Sequence, residues 1–238
     1  MDIDSILKGD DPILETFKGI APGTDRHCIN VSLLCESICK VIDNINVNNL
    51  IAAARIHDIG KCNNPSYFSE NQDENNIHDD LDPTVSYQYI SRHVSDGVLK
   101  LVQLEVPCEI IKIVSEHHGD SVISAIYAKA KTSRKKGKGS DPDFYRYKSS
   151  KPTSIESCIL MICDIIESAT RALYNAGKLD DAKLIIDNLI NKLIDDEQID
   201  ILTLGHIRVI KKVLLKEIES IYHKRVDYDE NDEELTNE

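Results

Sequence analysis

Five of the eight histidines and two aspartates form an ordered series along the chain: His27, then His57-Asp58, then His93, then His117-His118, then Asp164. Neutral imidazole is the commonest biological metal ligand. A nitrogen and oxygen set without thiolate suits manganese, iron, zinc, cobalt or nickel better than a soft-metal site. Adjacent histidines at the end of a helix are unusual for packing alone. On a helix their rings would diverge by about 100°, one toward the core and one toward a neighbouring cavity. Asp164 lies in the apolar run from Cys158 to Ile166. An ionised carboxylate there is costly unless it is paired or bound to metal. The alternative is a place on the polar flank of its helix, with Ser168 and Arg171. Taken singly, His206 and His223 read as core residues, whereas His78 lies in a polar loop that could close over a site.

These residues need helices to carry them, and helical periodicity dominates the sequence. Val31, Leu34, Cys35 and Ile38 form one apolar stripe. An alanine-rich helix over Leu50 to Ile59 is expected to stop at Gly60. Asp82-Pro83 reads as an N-cap with proline at the first helical position, opening a helix to about Val94. Asp96-Gly97 is expected to break it before Val98 to Leu104 resumes. Pro107 opens a helix that ends near Gly119, and Val122 to Lys131 follows. Thr153 and Glu156 have capping-box spacing and begin a strong helix ending at Gly177. Two further amphipathic helices span about Asp181 to Leu193 and Leu204 to His223. Asn63 to Asp80 and Ser133 to Pro152 read as loops. The division expected is a lead-in over 1–20, a core over 21–177, C-terminal helices over 178–228 packed on it, and a disordered acidic tail over 229–238. No internal repeat is visible.

Composition narrows the function. The 238 residues are 41% hydrophobic and 29% charged, ordinary for a globular protein. With no Trp and three Phe, the core must be mainly Ile, Leu, Val and Ala. A formal charge of −13 argues against gripping long nucleic acids, which need a broad basic surface. It is compatible with a small phosphorylated ligand, because bound cations reverse the local field. The seven cysteines are odd in number and contain no C-x-x-C pair, which predicts reduced thiols and a cytoplasmic setting. The start of the chain is polar and acidic, unlike a signal peptide. No apolar run reaches the roughly 18 residues of a membrane span.

The order H…HD…H…HH…D resembles the dinuclear HD-domain phosphohydrolases. His57-Asp58-Ile59-Gly60-Lys61 is similar to the H-D-I-G-K of their phosphodiesterase branches. Ala21-Pro22-Gly23-Thr24 leads into His27 as in A-P-G-T-x-x-H. Phe68 to Gln72 resembles F-x-E-N-Q, Ile90 to Gly97 resembles I-x-x-H-V-x-D-G, and Glu116 to Gly119 matches E-H-H-G. Asp143 to Tyr147, Lys151-Pro152 and Ile221 to Arg225 are similar to further landmarks. Together they look like the cytoplasmic HD domain of PgpH-type phosphodiesterases, which hydrolyse cyclic di-AMP, over roughly residues 11–228. The H-H-E…G-Y-P hallmark of the cyclic di-GMP branch does not follow His117-His118. The segment between Lys131 and Lys151, with its added basic stretch, departs from the family.

The resemblance implies an all-α HD-domain bundle with a C-terminal helical extension. It implies two divalent transition-metal ions, manganese or iron as Fe²⁺/Fe³⁺. One would be held by His27, His57, Asp58 and Asp164, the other by His93, His117, His118 and a bridging Asp58. A hydroxide between them would open cyclic di-AMP to 5′-pApA. Lys61 would support the phosphate electrostatically, and Asn71, His78, Tyr145 and Arg171 are candidates for nucleotide contact. A cyclic dinucleotide is the expected partner, and a homodimer is compatible with this reading. Three alternatives stay open: an HD phosphohydrolase for another nucleotide, a non-catalytic cyclic-nucleotide receptor, and a purely structural helical domain.

Overall fold

The computed structural model describes residues 3–72, 76–132, 141–178 and 181–235, with side chains as far as Ile221. Among these residues ten α-helices carry the fold: α1 (Ile3–Lys8), α2 (Pro12–Ile20), α3 (Pro22–Cys39), α4 (Val47–Ile56), α5 (Pro83–Gln103), α6 (Cys108–Glu116), α7 (Ser124–Thr132), α8 (Ile155–Asn175), α9 (Ala182–Asp195) and α10 (Leu204–Leu235). Short 3₁₀ turns fill the connection between α4 and α5, and the chain forms no β-strand among the described residues. An isolated antiparallel bridge joins Val122 to Arg146. The all-α expectation therefore holds.

Caps set the helix starts. The Asp11 carboxylate accepts from Ile13 N at 3.0 Å, with Pro12 in the first turn of α2. Asp82 does the same for Thr84 N at 2.9 Å, as the sequence predicts for α5. The N-cap of α8 is Ser154 and not Thr153: Ser154 Oγ accepts from Ser157 N at 3.1 Å. Thr153 instead donates its N–H and hydroxyl to Glu116 at the end of α6, at 3.0 and 2.7 Å. A carboxylate from another helix has displaced the local capping box.

Two further expectations are corrected. Helix α5 runs unbroken through Asp96-Gly97, and α4 stops at Ile56, before Gly60. Gly60 serves packing instead. A Cβ on Gly60 would meet His93 O at 2.0 Å and Gly97 N at 2.5 Å. The turn after α4 thus lies backbone to backbone on α5, an approach that only glycine at position 60 permits.

One apolar core runs through the molecule. Ile6 of α1, Leu34 and Ile38 of α3, Leu50 of α4, Ile159 and Ile162 of α8, Ile190 of α9 and Ile210 of α10 are fully buried and belong to the same cluster. The expected lead-in and C-terminal helices share this core. Helix α10 continues along its backbone to Leu235, where a disordered tail was expected from residue 229; no glycine or proline follows Gly205 in it. His206 half-emerges at its start and exchanges hydrogen bonds with Thr203, a cap and not a core position. The side chain of His223 and the basic stretch at 133–140 lie outside the described residues. No described helix is long and apolar enough to cross a membrane.

Candidate metal centre

Each of the seven predicted ligands sits on a helix or at its end, and all seven converge. α3 brings His27, the end of α4 brings His57 and Asp58, α5 brings His93, the end of α6 brings His117 and His118, and α8 brings Asp164. Two overlapping groups result: His27, His57, Asp58 and Asp164, and Asp58, His93, His117 and His118. Within each group the ligand atoms lie within 4.8 Å of one another. Asp58 belongs to both. Its Oδ2 lies 3.4 Å from His57 Nε2 and 3.6 Å from His27 Nε2, while Oδ1 lies 3.3 Å from His93 Nε2 and 3.8 Å from His117 Nε2.

As expected, His117 is fully buried and His118 lines a neighbouring cavity, but the two rings stay together. Helix α6 ends at Glu116, so helical spacing no longer governs the pair. Their ring centroids are 4.0 Å apart, and His118 Nδ1 faces Asp164 Oδ2 at 3.4 Å. Asp164 is buried in the same centre, not on a solvated flank.

The rings are aimed from behind. Nδ1 of His57, His93 and His117 lies 2.9, 2.6 and 2.5 Å from the carbonyl oxygen three residues earlier, of Ala54, Ile90 and Val114 respectively. A carbonyl only accepts, so Nδ1 carries the proton and Nε2 presents a lone pair to the centre. For His27 the partner is a carboxylate, Glu167 Oε2 at 2.5 Å, whose other oxygen accepts from Asn30 at 2.9 Å.

The residues fit a pair of divalent cations. Both oxygens of Asp58, and Nε2 of His57, are buried without a hydrogen-bond partner. Buried polar atoms left this way are rare in a folded protein unless something else satisfies them. Lys61 Nζ approaches Asp58 Oδ2 to 2.7 Å but outside hydrogen-bond geometry. Electrostatics agree. Burial opposes ionisation of Asp58 and Asp164, yet Lys61 and His57 hold the first, and His27 and His57 the second, well below the carboxylate range. Burial likewise opposes charge on His27, but Asp164 and Glu167 push its pKa up to about 10. His117 goes the other way, to about 3, through burial and the nearby His57 and His93. The cluster therefore gathers anions, and without metal protons on His27 and on His57, whose pKa is also raised well above its ordinary value, compensate them.

Beside the centre opens a cavity of about 480 Å³, lined by Lys61, Phe68, His93, His118 and Asp164 at one end and by Leu189 and Lys192 of α9 at the other. Its wall is mostly apolar, as small-molecule sites are. The remaining predicted residues scatter. Lys61 lines this cavity. Asn71 is engaged with Gly23, Thr24 and Pro65. His78 Nε2 faces Tyr67 O at 2.7 Å and borders an adjoining cavity of about 670 Å³, which shares Phe68, Ile90 and Ala125 with the first. Tyr145 is 1% exposed in a satellite cluster with Ile126 and Ala130 and does not line the metal cavity. Arg171 lies between Glu167 and Glu70, with contacts of 3.4 and 3.9 Å. Three residues given no site role in the sequence stand out. Tyr147 stacks on His118 at a centroid distance of 4.2 Å and 20°. Glu167 aims His27, and its i+3 spacing from Asp164 was a usable signal. Glu70 contacts Lys61 from a polar loop; the F-x-E-N-Q resemblance included it, but only Asn71 was singled out there.

Fold and centre define the class, and comparison agrees: the HD domain family matches residues 24–169, and the chain belongs to the HD-domain family. Its relatives include the cyclic-di-AMP phosphodiesterase PgpH of Bacillus subtilis (strain 168), 34% identical over 92% of this chain and 30% of that protein. PgpH of Listeria monocytogenes is 36% identical over 91% of this chain and 30% of its own length. The solved HD domain of L. monocytogenes PgpH superposes with a TM-score of 0.79 at 32% identity, covering 89% of this chain and 99% of that one. Its complex with cyclic-di-AMP gives 0.80 at 32% identity, over 90% and 98%. The chain thus spans 30% of the length of these two curated relatives.

Proposed function

We propose that this chain is a metal-dependent phosphodiesterase that opens cyclic di-AMP to linear 5′-pApA. The observation that carries the reading is Asp58, whose two buried, unpartnered oxygens stand between two groups of metal-binding side chains. The PgpH relatives and the HD domain solved with cyclic-di-AMP support the choice of substrate. Two divalent ions, manganese or iron, held at these groups would supply a hydroxide for in-line attack on phosphorus and neutralise the phosphate oxygens. His27, His57 and Asp164 would hold one ion, His93, His117 and His118 the other, with Asp58 shared between them. Backbone carbonyls and Glu167 keep the rings fixed, so little reorganisation is needed on binding. Lys61 adds a cation to the cavity wall. The apolar wall toward α9 suits a purine.

The test is turnover. Protein loaded anaerobically with Mn²⁺ or Fe²⁺ is given cyclic di-AMP, cyclic di-GMP, cyclic GMP-AMP and linear pApA, with Asp58→Ala alongside. Preferential conversion of cyclic di-AMP to pApA, lost in the variant, supports the reading. Two bound metals without turnover of any cyclic dinucleotide defeats it.

A further inference from the structure

Lys61 has two carboxylate neighbours. Its Nζ lies 2.7 Å from Asp58 Oδ2 and 2.7 Å from Glu70 Oε1. Only the contact with Glu70 has hydrogen-bond geometry. Glu70 is itself held. Thr24 Oγ1 donates to the same Oε1 at 3.1 Å, and Arg171 Nη2 stands 3.9 Å from Oε2. The next residue, Asn71, accepts from the N–H groups of Gly23 and Thr24 at 3.0 and 3.2 Å and donates to Thr24 Oγ1 at 2.7 Å. The turn at Ser69–Asn71 is thereby pinned to the start of α3, the helix that carries His27. Arg171 also contacts Glu167, the carboxylate behind His27.

A divalent cation held at Asp58 would take up the carboxylate oxygens and repel the ammonium. Lys61 would then lose Asp58 but keep Glu70 and the Phe68 ring, 4.8 Å from Nζ. An ammonium has three donors, so with Glu70 on one of them the others are free toward the cavity that Lys61 lines. We propose that Glu70, steadied by Thr24 and Arg171, is a positioning residue that holds Lys61 ready to meet a non-bridging oxygen of the substrate phosphate. Asn71 and Arg171 then serve the site by fixing Glu70 and not by touching the nucleotide. The inference rests on the phosphate-ester reading above.

The experiment is a double-mutant cycle in Mn²⁺-loaded protein: wild type, E70Q, K61M and E70Q/K61M, each checked for metal content and thermal unfolding. Two quantities are read, the affinity for inorganic phosphate by calorimetry and kcat/KM for cyclic di-AMP. E70Q and K61M should each weaken phosphate binding about tenfold, as for a hydrogen bond to a charged group. The double variant should be no worse than K61M alone, and Glu70→Asp should recover most of the loss. Wild-type phosphate affinity in E70Q, penalties that multiply in the double variant, or a wild type that binds no phosphate would each overturn the proposal. Should E70Q lose metal or fold, Thr24→Val, which removes a hydroxyl that steadies Glu70, runs the same cycle against K61M with the same two readings. Phosphate affinity is independent of turnover. A wild type inert on every cyclic dinucleotide therefore overturns the phosphodiesterase reading alone, while the phosphate cycle still decides Glu70.

Discussion

Gly60 lies against the backbone of His93 so closely that a Cβ on the glycine would stand 2.0 Å from the histidine's carbonyl oxygen. The turn that delivers His57 and Asp58 is thereby set in register with the helix that delivers His93. Gly97, on the other side of the same contact, has more room: its Cβ would meet Gly60 N at 3.4 Å, ordinary van der Waals contact. The two glycines should therefore respond differently. Gly60→Ala is expected to destabilise the fold by about 2–4 kcal/mol, within the range of overpacking, and to lower metal content on the His93 side. Gly97→Ala should be neutral or stabilising by up to about 1 kcal/mol, from helix propensity. Thermal unfolding with metal analysis checks both, and equal behaviour would refute the contact argument.

Glu167 is expected to act through His27. Glu167→Gln keeps the shape but removes the charge that orients and strengthens the ring as a ligand. Metal affinity on the His27 side should fall about 10–100-fold, the usual cost of losing such a partner. Competition with a graded series of chelators would show it. Unchanged affinity would mean that packing alone holds the ring.

Metal binding should be proton-linked, with His27 and His57 acting in the same direction because the pKa of each is raised; His27 sets the window. Its pKa is about 10 in the metal-free fold, above its ordinary 6.5, because Asp164 and Glu167 outweigh the opposing burial. This raised value stabilises the metal-free protein fully below pH 6.5 and is lost as pH rises toward 10. A metal ion must displace the same proton, so affinity should rise with pH across that window, by up to about tenfold per unit. Calorimetry in buffers of different ionisation enthalpy would count the released protons. His117, depressed to about 3 by burial and its histidine neighbours, contributes at the acid side: from pH 6.5 down to 3 the unfolded chain gains a proton that the fold refuses, and stability falls.

Tyr147 supports His118 through the ring and not the hydroxyl. Its ring stacks on the imidazole at 4.2 Å and 20°, and burial raises its pKa above the usual tyrosine value. Tyr147→Phe should keep metal content and activity within about twofold, whereas Tyr147→Ala should lose about 3 kcal/mol of stability, as for other buried aromatics, and loosen His118. A phenylalanine variant as damaged as the alanine variant would assign the hydroxyl a chemical role instead.

By itself, the sequence determined the class. Ligand types, their order and the helical periodicity around them were legible because metal coordination restricts the choice to few residue types, and an amphipathic helix repeats its pattern locally. Tertiary structure decided what depends on residues far apart in the chain. Glu116 reaches Thr153 and Ser157 and moves the start of α8 to Ser154. Gly97 continues a helix it was expected to break, because a single glycine inside a long, well-packed helix costs only about 1 kcal/mol. His117 and His118 converge because α6 stops one residue before them. Tyr145, a candidate for substrate contact on motif grounds, is in a satellite core, while Tyr147, two residues on, faces the metal cavity. Which of two neighbouring side chains faces a site depends on how a loop lies on the core, and local spacing carries no information about that.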